Sequence, residues 1–282
     1  MSSVNFFRCF AIACLPILTS PAWAQDRIVS VGGSVTEIVY ALGAADRLVA
    51  RDSTSGFPLS AQELPSVGYV RNLSPEGVLS VNPDLIIAEN DAGPPEAVAL
   101  LTEAAIPFVV VAEDHTSEGI AQKIIAVGEA LGLSDKAATL AAQVKDQTEA
   151  AHARALAAAT APKRVLFVLS ARDGRVMGAG VNTSADAMIR LSGGVNAVSD
   201  VDGYKPLSTE SIIAAKPDVI LMMDRGGSHS VTDEDLFALP SFRLTPAAKT
   251  RNVIRMNGLY LLGFGPRTAQ AIDDLSQQLY GG

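Results

Sequence analysis

Tyr69 and Arg71 stand two residues apart in the segment Val67-Gly68-Tyr69-Val70-Arg71-Asn72-Leu73-Ser74-Pro75-Glu76-Gly77, the most informative stretch of the chain. A tyrosine after a glycine on a loop has two uses. It packs as an aromatic on its own domain, or its oxygen acts as a phenolate donor to ferric iron, since tyrosine is one of the side chains that ligate haem iron. The second use has a requirement. Phenol ionises near pH 10, so a ligating tyrosine needs the metal, and a nearby cation, to hold its charged form. Arg71 is one such cation, and Arg225, just after the apolar run Val219–Met223, is a second.

Other chemistry is missing. There is no Gly-x-Ser-x-Gly elbow, no Gly-Lys-Ser/Thr phosphate loop and no Gly-x-Gly-x-x-Gly fingerprint after a strand. Gly32-Gly33-Ser34 follows the first apolar run, where a helix start could hold an anion, but a tight turn explains it as well. His115, His152 and His229 fit no zinc spacing. His152 reads as a solvated surface residue, and His115 and His229 as loop histidines.

The residues that could act need elements to place them, and the sequence repeats those elements. Leu73-Ser74-Pro75-Glu76 leads into Asn82-Pro83-Asp84-Leu85-Ile86-Ile87. Leu207-Ser208-Thr209-Glu210 leads, 134 positions later and without a gap, into Lys216-Pro217-Asp218-Val219-Ile220-Leu221. Ser74 and Ser208 are N-caps, and Glu76 and Glu210 sit in first turns where the helix dipole favours a carboxylate. Two similar lobes follow from this.

Short β-branched runs alternate with helical patterns. Strands are expected at 27–31, 47–50, 85–89, 108–112, 165–169, 219–223 and 253–256, with helices at 35–42, 95–105, 118–131, 184–191 and 269–279. This predicts an α/β fold with mainly parallel sheets, and the run Phe108-Val109-Val110-Val111 reads as a strand covered on both faces. Residues 134–161 contain no Gly and no Pro. They predict one helix of about 25 residues, on the order of 40 Å long, capped by Ser134 and joining the two lobes as a strut. A flexible hinge would carry Gly and Ser instead.

The first 24 residues read as an export signal. Arg8 is the only charge before Asp26, an apolar run extends from Cys9 to Leu18, and Ala22-Trp23-Ala24 is an A-x-A cleavage pattern. Cleavage after Ala24 leaves 258 residues with a net charge of −9 and without either cysteine, Cys9 or Cys14. A lipid anchor at Cys14 fits less well, because Ala11-Ile12-Ala13 lacks the expected Leu. The mature chain can use neither disulfides nor thiolate chemistry. Its acidic balance excludes nucleic acid as a partner and requires locally placed Arg or Lys for any anionic ligand.

On these residues the chain resembles the periplasmic haem-binding proteins of bacterial haem-uptake ABC transporters, a group within the helical-backbone substrate-binding proteins. The Tyr69 segment is similar to the one that carries their axial tyrosine. Asp224-Arg225-Gly226 resembles the site of an arginine that hydrogen-bonds the phenolate. Gly203-Tyr204-Lys205-Pro206-Leu207-Ser208 and Phe264-Gly265-Pro266-Arg267-Thr268 are similar to segments of the same group. Some relatives add a second-lobe histidine as a further iron ligand. The loop after 165–169, Ser170-Ala171-Arg172-Asp173, contains none.

The resemblance implies residues 25–133 and 162–282 as lobes around a connecting helix at 134–161, with little domain motion. It implies haem as a transported ligand, held by Tyr69, Arg71, Arg225, Lys205 and Tyr204, with Tyr69 on the iron. It also implies a periplasmic monomer that docks on an inner-membrane ABC permease through Glu76 and Glu210. The alternatives are a cobalamin or ferric-siderophore binder of the same class, and a lobed α/β enzyme, for which no nucleophile–base pair is visible.

Overall fold

The computed structural model describes residues 26–172, 174–224 and 231–281. In the first lobe β1 (Ile28–Val31), α1 (Gly33–Ala41) and β2 (Leu48–Arg51) are followed by a small hairpin of β3 (Gly68–Tyr69) and β4 (Asn72–Leu73). Then come α2 (Pro75–Leu79), β5 (Leu85–Glu89), α3 (Pro95–Glu103), β6 (Phe108–Val111) and α4 (Ser117–Ala130). The single helix α5 (Ser134–Ala158) crosses to the second lobe, which opens with β7 (Arg164–Arg172), β8 (Arg175–Ala179), α6 (Ser184–Leu191), β9 (Val195–Asn196) and β10 (Tyr204–Leu207). It continues through α7 (Thr209–Ala215), β11 (Val219–Asp224), α8 (Asp233–Ala238), α9 (Pro246–Thr250), β12 (Val253–Asn257), α10 (Gly258–Leu262) and α11 (Thr268–Tyr280).

The first sheet is parallel throughout, in the order β2-β1-β5-β6. The second runs β10-β8-β7-β11-β12, with β9 paired to β7. Here the expectation of parallel pairing holds only in part, because β8 runs antiparallel to both β7 and β10. The turn at Gly174 makes β7 and β8 a hairpin, and hairpins are antiparallel by geometry. β6 also departs from its reading as a strand covered on both faces. It is an edge strand, and Val110 is 54% exposed.

Central strands alternate between two buried layers, which explains their near-continuous apolar sequences. Val165 and Phe167 of β7 face the layer that also holds Ile28, Val35 and Ile38 of the first lobe, whereas Leu166 and Val168 face a separate second-lobe core. One apolar core therefore runs through both lobes, and α5 supplies its middle with Ala137, Ala141, Val144, Ala151 and Ala155. The helix packs along its length, on α4 in its first half and on α6 and α11 in its second. A Cβ on Gly128 of α4 would fall 2.0 Å from that of Ala137, so the approach of α4 to α5 depends on that glycine. Ser134 is the first helical residue and not the cap, which is Leu133 without a side-chain hydrogen bond. His152, expected to be solvated, is instead held by Nδ1 at 2.8 Å from the Leu191 carbonyl. Among the described residues no helix is long and apolar enough to cross a membrane.

Candidate ligand site between the lobes

The lobes meet at the C-terminal ends of their parallel strands, where open α/β sheets bind ligands. Lys123 of α4, fully buried, reaches across to the carbonyls of Gly263 and Phe264 at 3.3 and 3.2 Å. In the opposite direction Arg267 donates to both oxygens of Glu37 on α1. Its guanidinium also lies 3.6 Å from the Phe57 ring of the first lobe and 4.9 Å from the Tyr260 ring of its own. His115 sets its ring edge-on to Phe264 at 4.7 Å, and burial lowers its pKa despite the neighbouring Glu113.

Tyr69 lies at the first-lobe side of this junction. Gly68 ahead of it has φ +104°, a conformation that favours glycine. Its carbonyl accepts from Ser53 N at 2.6 Å, so the hairpin is held to the sheet end. Tyr69 is 43% exposed. Arg71 Nη1 donates to its oxygen at 2.7 Å, and Arg71 Nη2 donates to Asp91 at 2.5 Å. Burial opposes the charge on Arg71, yet Asp91 and Tyr69 together raise its pKa above the ordinary arginine value. The tyrosine and the arginine stood out in the sequence as neighbours, and the family resemblance gave them their role. Asp91, 20 residues on, was missed, since nothing local to it signals a role.

The turn at Gly32-Gly33-Ser34 does not offer its amides to an outside anion. Gly32 N donates to Asp52 and Ser34 N to Glu89, so the protein's own carboxylates fill the start of α1. Glu89 also accepts from the Ser34 hydroxyl at 2.6 Å, and Lys123 donates to Ser34 and, at 2.7 Å, to Glu113. Burial pushes the Glu89 carboxyl up to about 7, against the pull of Lys123 and the Ser34 hydrogen bond.

Of the second-lobe candidates, Tyr204 and Lys205 lie on β10. Tyr204 is paired with Ala179 and Leu207 with Val176, so β10 runs toward the cleft and Tyr204 is at its far end. There its hydroxyl meets Ser184 at 3.1 Å and its ring meets Phe167 edge-on. Lys205, the next residue on the strand, leaves the opposite face of the sheet and is exposed. Arg225 and His229 lie outside the described residues, although β11, which leads to Arg225, ends at the cleft with Asp224.

Glu76 and Glu210 are both exposed and head α2 and α7 in matching fashion. Ser74 Oγ accepts from Gly77 N at 3.2 Å, and Ser208 Oγ accepts from Ser211 N at 3.1 Å. Hydrogen bonding from its own backbone and from Ser208 lowers the Glu210 pKa.

Two α/β lobes, one packed helix between them and a polar cleft describe a known architecture. The periplasmic haem-binding protein RhuT from Roseiflexus sp. RS-1, in its apo form, is 40% identical, with a TM-score of 0.87 over 91% of this chain and 98% of its own. The periplasmic haem-binding protein BhuT, in complex with two haems, is also 40% identical, with a TM-score of 0.85 over 90% of this chain and 98% of its own. A vitamin B12-binding protein of Yersinia pestis (strain Pestoides F) is 28% identical over 273 residues, 96% of this chain and 92% of that protein. The description of the periplasmic binding protein family matches residues 28–258, and with the fold and cleft it places this chain in that family.

Proposed function

We propose that this protein captures ferric haem between its lobes and delivers it, chemically unchanged, to an inner-membrane ABC permease. One observation carries the reading: a half-exposed tyrosine at the cleft whose oxygen already accepts from an arginine at 2.7 Å. A phenol meant only for packing needs no cation on its oxygen, whereas a phenolate on iron is stabilised by one. Haem-binding proteins at 40% identity over nearly the whole mature chain support the same ligand.

In this reading Tyr69 is the axial ligand and Arg71 holds its charge from the first lobe. Arg225, which follows β11 in the sequence, is the second cation assigned to the phenolate. Tyr204 and Lys205 are assigned to the ligand and not to its iron. Lys205 then contributes only positive charge at the lobe surface for the carboxylates of the porphyrin. Glu76 and Glu210 pair with basic residues of the permease, one from each lobe, and residues 1–24 direct the chain to the periplasm as a cleaved signal. The protein acts as a monomer and performs no reaction on its ligand.

The runner-up ligand is cobalamin, favoured by the relative at 28% identity. Absorbance after mixing with ferric haem or with cobalamin separates the two. A Soret band with a ferric-tyrosinate charge-transfer band, lost in Tyr69→Phe, is the expected result. Binding of cobalamin alone would overturn it.

A further inference from the structure

We propose that Asp91 is a positioning residue for the ligand tyrosine: it holds one end of the Arg71 guanidinium so that the other end donates to the Tyr69 oxygen. The inference rests on the haem reading above and deepens it.

The guanidinium is planar and rigid, so fixing one terminal nitrogen fixes the direction of the other. Arg71 Nη2 is held by Asp91 at 2.5 Å and Nη1 meets Tyr69 at 2.7 Å. The Arg71 side chain is 62% exposed. A long side chain in that setting has several rotamers of similar energy, and ordering it costs entropy that a second anchor offsets.

Asp91 can serve as that anchor because its turn is bonded to the hairpin that carries Tyr69. Gly93 N donates to the Val70 carbonyl at 2.9 Å, and Leu73 N donates to the Gly93 carbonyl at 2.7 Å. Within the turn, Ala92 N donates to Glu89 O at 3.0 Å. Tyrosine, arginine and aspartate are thus set on two chain segments joined by backbone hydrogen bonds.

The neighbouring carboxylates Glu89 and Glu113 have partners of their own. Glu113 takes Lys123, Lys123 also takes Ser34, and Ser34 takes Glu89. Asp91 is the carboxylate bonded to Arg71.

The test uses the full protein loaded with ferric haem, in wild-type, Asp91→Ala, Asp91→Asn, Arg71→Ala and Asp91→Ala/Arg71→Ala forms, with Tyr69→Phe as the reference. Two readouts are taken: the tyrosinate-to-iron charge-transfer band, and the rate of haem transfer to excess apomyoglobin. Asp91→Ala should shift the band and speed release about tenfold, the scale of one charge-assisted hydrogen bond. Asp91→Asn keeps an acceptor oxygen and should stay near wild type. With Arg71 already removed, Asp91→Ala should add nothing, because Asp91 acts through that side chain. An unchanged Asp91→Ala protein, an Asn variant as fast as the Ala variant, or equal acceleration with and without Arg71 would each overturn the proposal. A wild type without the band, or a Tyr69→Phe protein that keeps it, overturns the haem-tyrosinate reading itself and the proposal with it.

Discussion

Arg267 and Glu37 are separated by 230 positions, yet they form a two-point ion pair that joins the second lobe to the first. Glu37 is 6% exposed, and the face of the Arg267 guanidinium is covered by Phe57. Lys123 makes the reciprocal connection, from the first lobe into the carbonyls of the second.

Removing one partner of such a pair strands the other charge in a dry place. Arg267→Ala should lower unfolding stability by about 3 kcal/mol. Arg267→Met with Glu37→Gln should recover much of the loss, since neither charge is then left alone. Urea denaturation of the three proteins measures this, and equal losses in both variants would show that the contact is mere packing.

With both cations in place and α5 packed on both lobes, the lobes should keep their separation when ligand enters. Small-angle scattering profiles of the free and haem-loaded protein are expected to nearly superimpose. A clear compaction on loading would mean that the junction opens and closes like a hinge.

Glu89 gives the fold a pH dependence whose sign follows from its raised pKa. The carboxyl titrates near 7 in the folded chain, against a usual value of 4.5. Between those values the folded state binds more protons than the unfolded one. This group's contribution is therefore present in full at low pH and is lost as pH rises through about 7. Glu89→Gln removes the titration. Relative to that variant the wild type should lose about 3 kcal/mol between pH 4.5 and pH 8, as read by denaturant unfolding at a series of pH values. A flat difference would place an ordinary carboxylate at this position.

Reversal of Glu76 and Glu210 to lysine should leave haem affinity alone and impair uptake in cells, because exposed charges of this kind govern pairing with a partner. Haem titration and a haem-dependent growth assay read the two effects separately. Full uptake by the double variant would remove both residues from the docking surface.

Much of this protein was legible in its sequence where the controlling physics is local. The helix at Ser134–Ala158 follows from an uninterrupted run of good helix formers, and the twin caps at Ser74 and Ser208 follow from side-chain hydrogen bonds that reach only three residues. Tyr69 and Arg71 are close enough in sequence for one tight hairpin to join them. Lys123 shows the limit. In Ser117–Ala130 it reads as an ordinary lysine on a helix, yet it is fully buried, because its partners come from 10, 89, 140 and 141 positions away.

The sequence by itself determined the repeated helix starts, the connecting helix and the tyrosine–arginine pair, since helix propensity, capping and turn geometry act over a few residues. Tertiary structure alone decided that Val110 lies on an open edge and that β8 and β10 run against their neighbours. It also decided the long-range partners of Asp91, Lys123 and Arg267. A charge finds its partner by where the chain returns in space, and neither residue carries a local mark of that return.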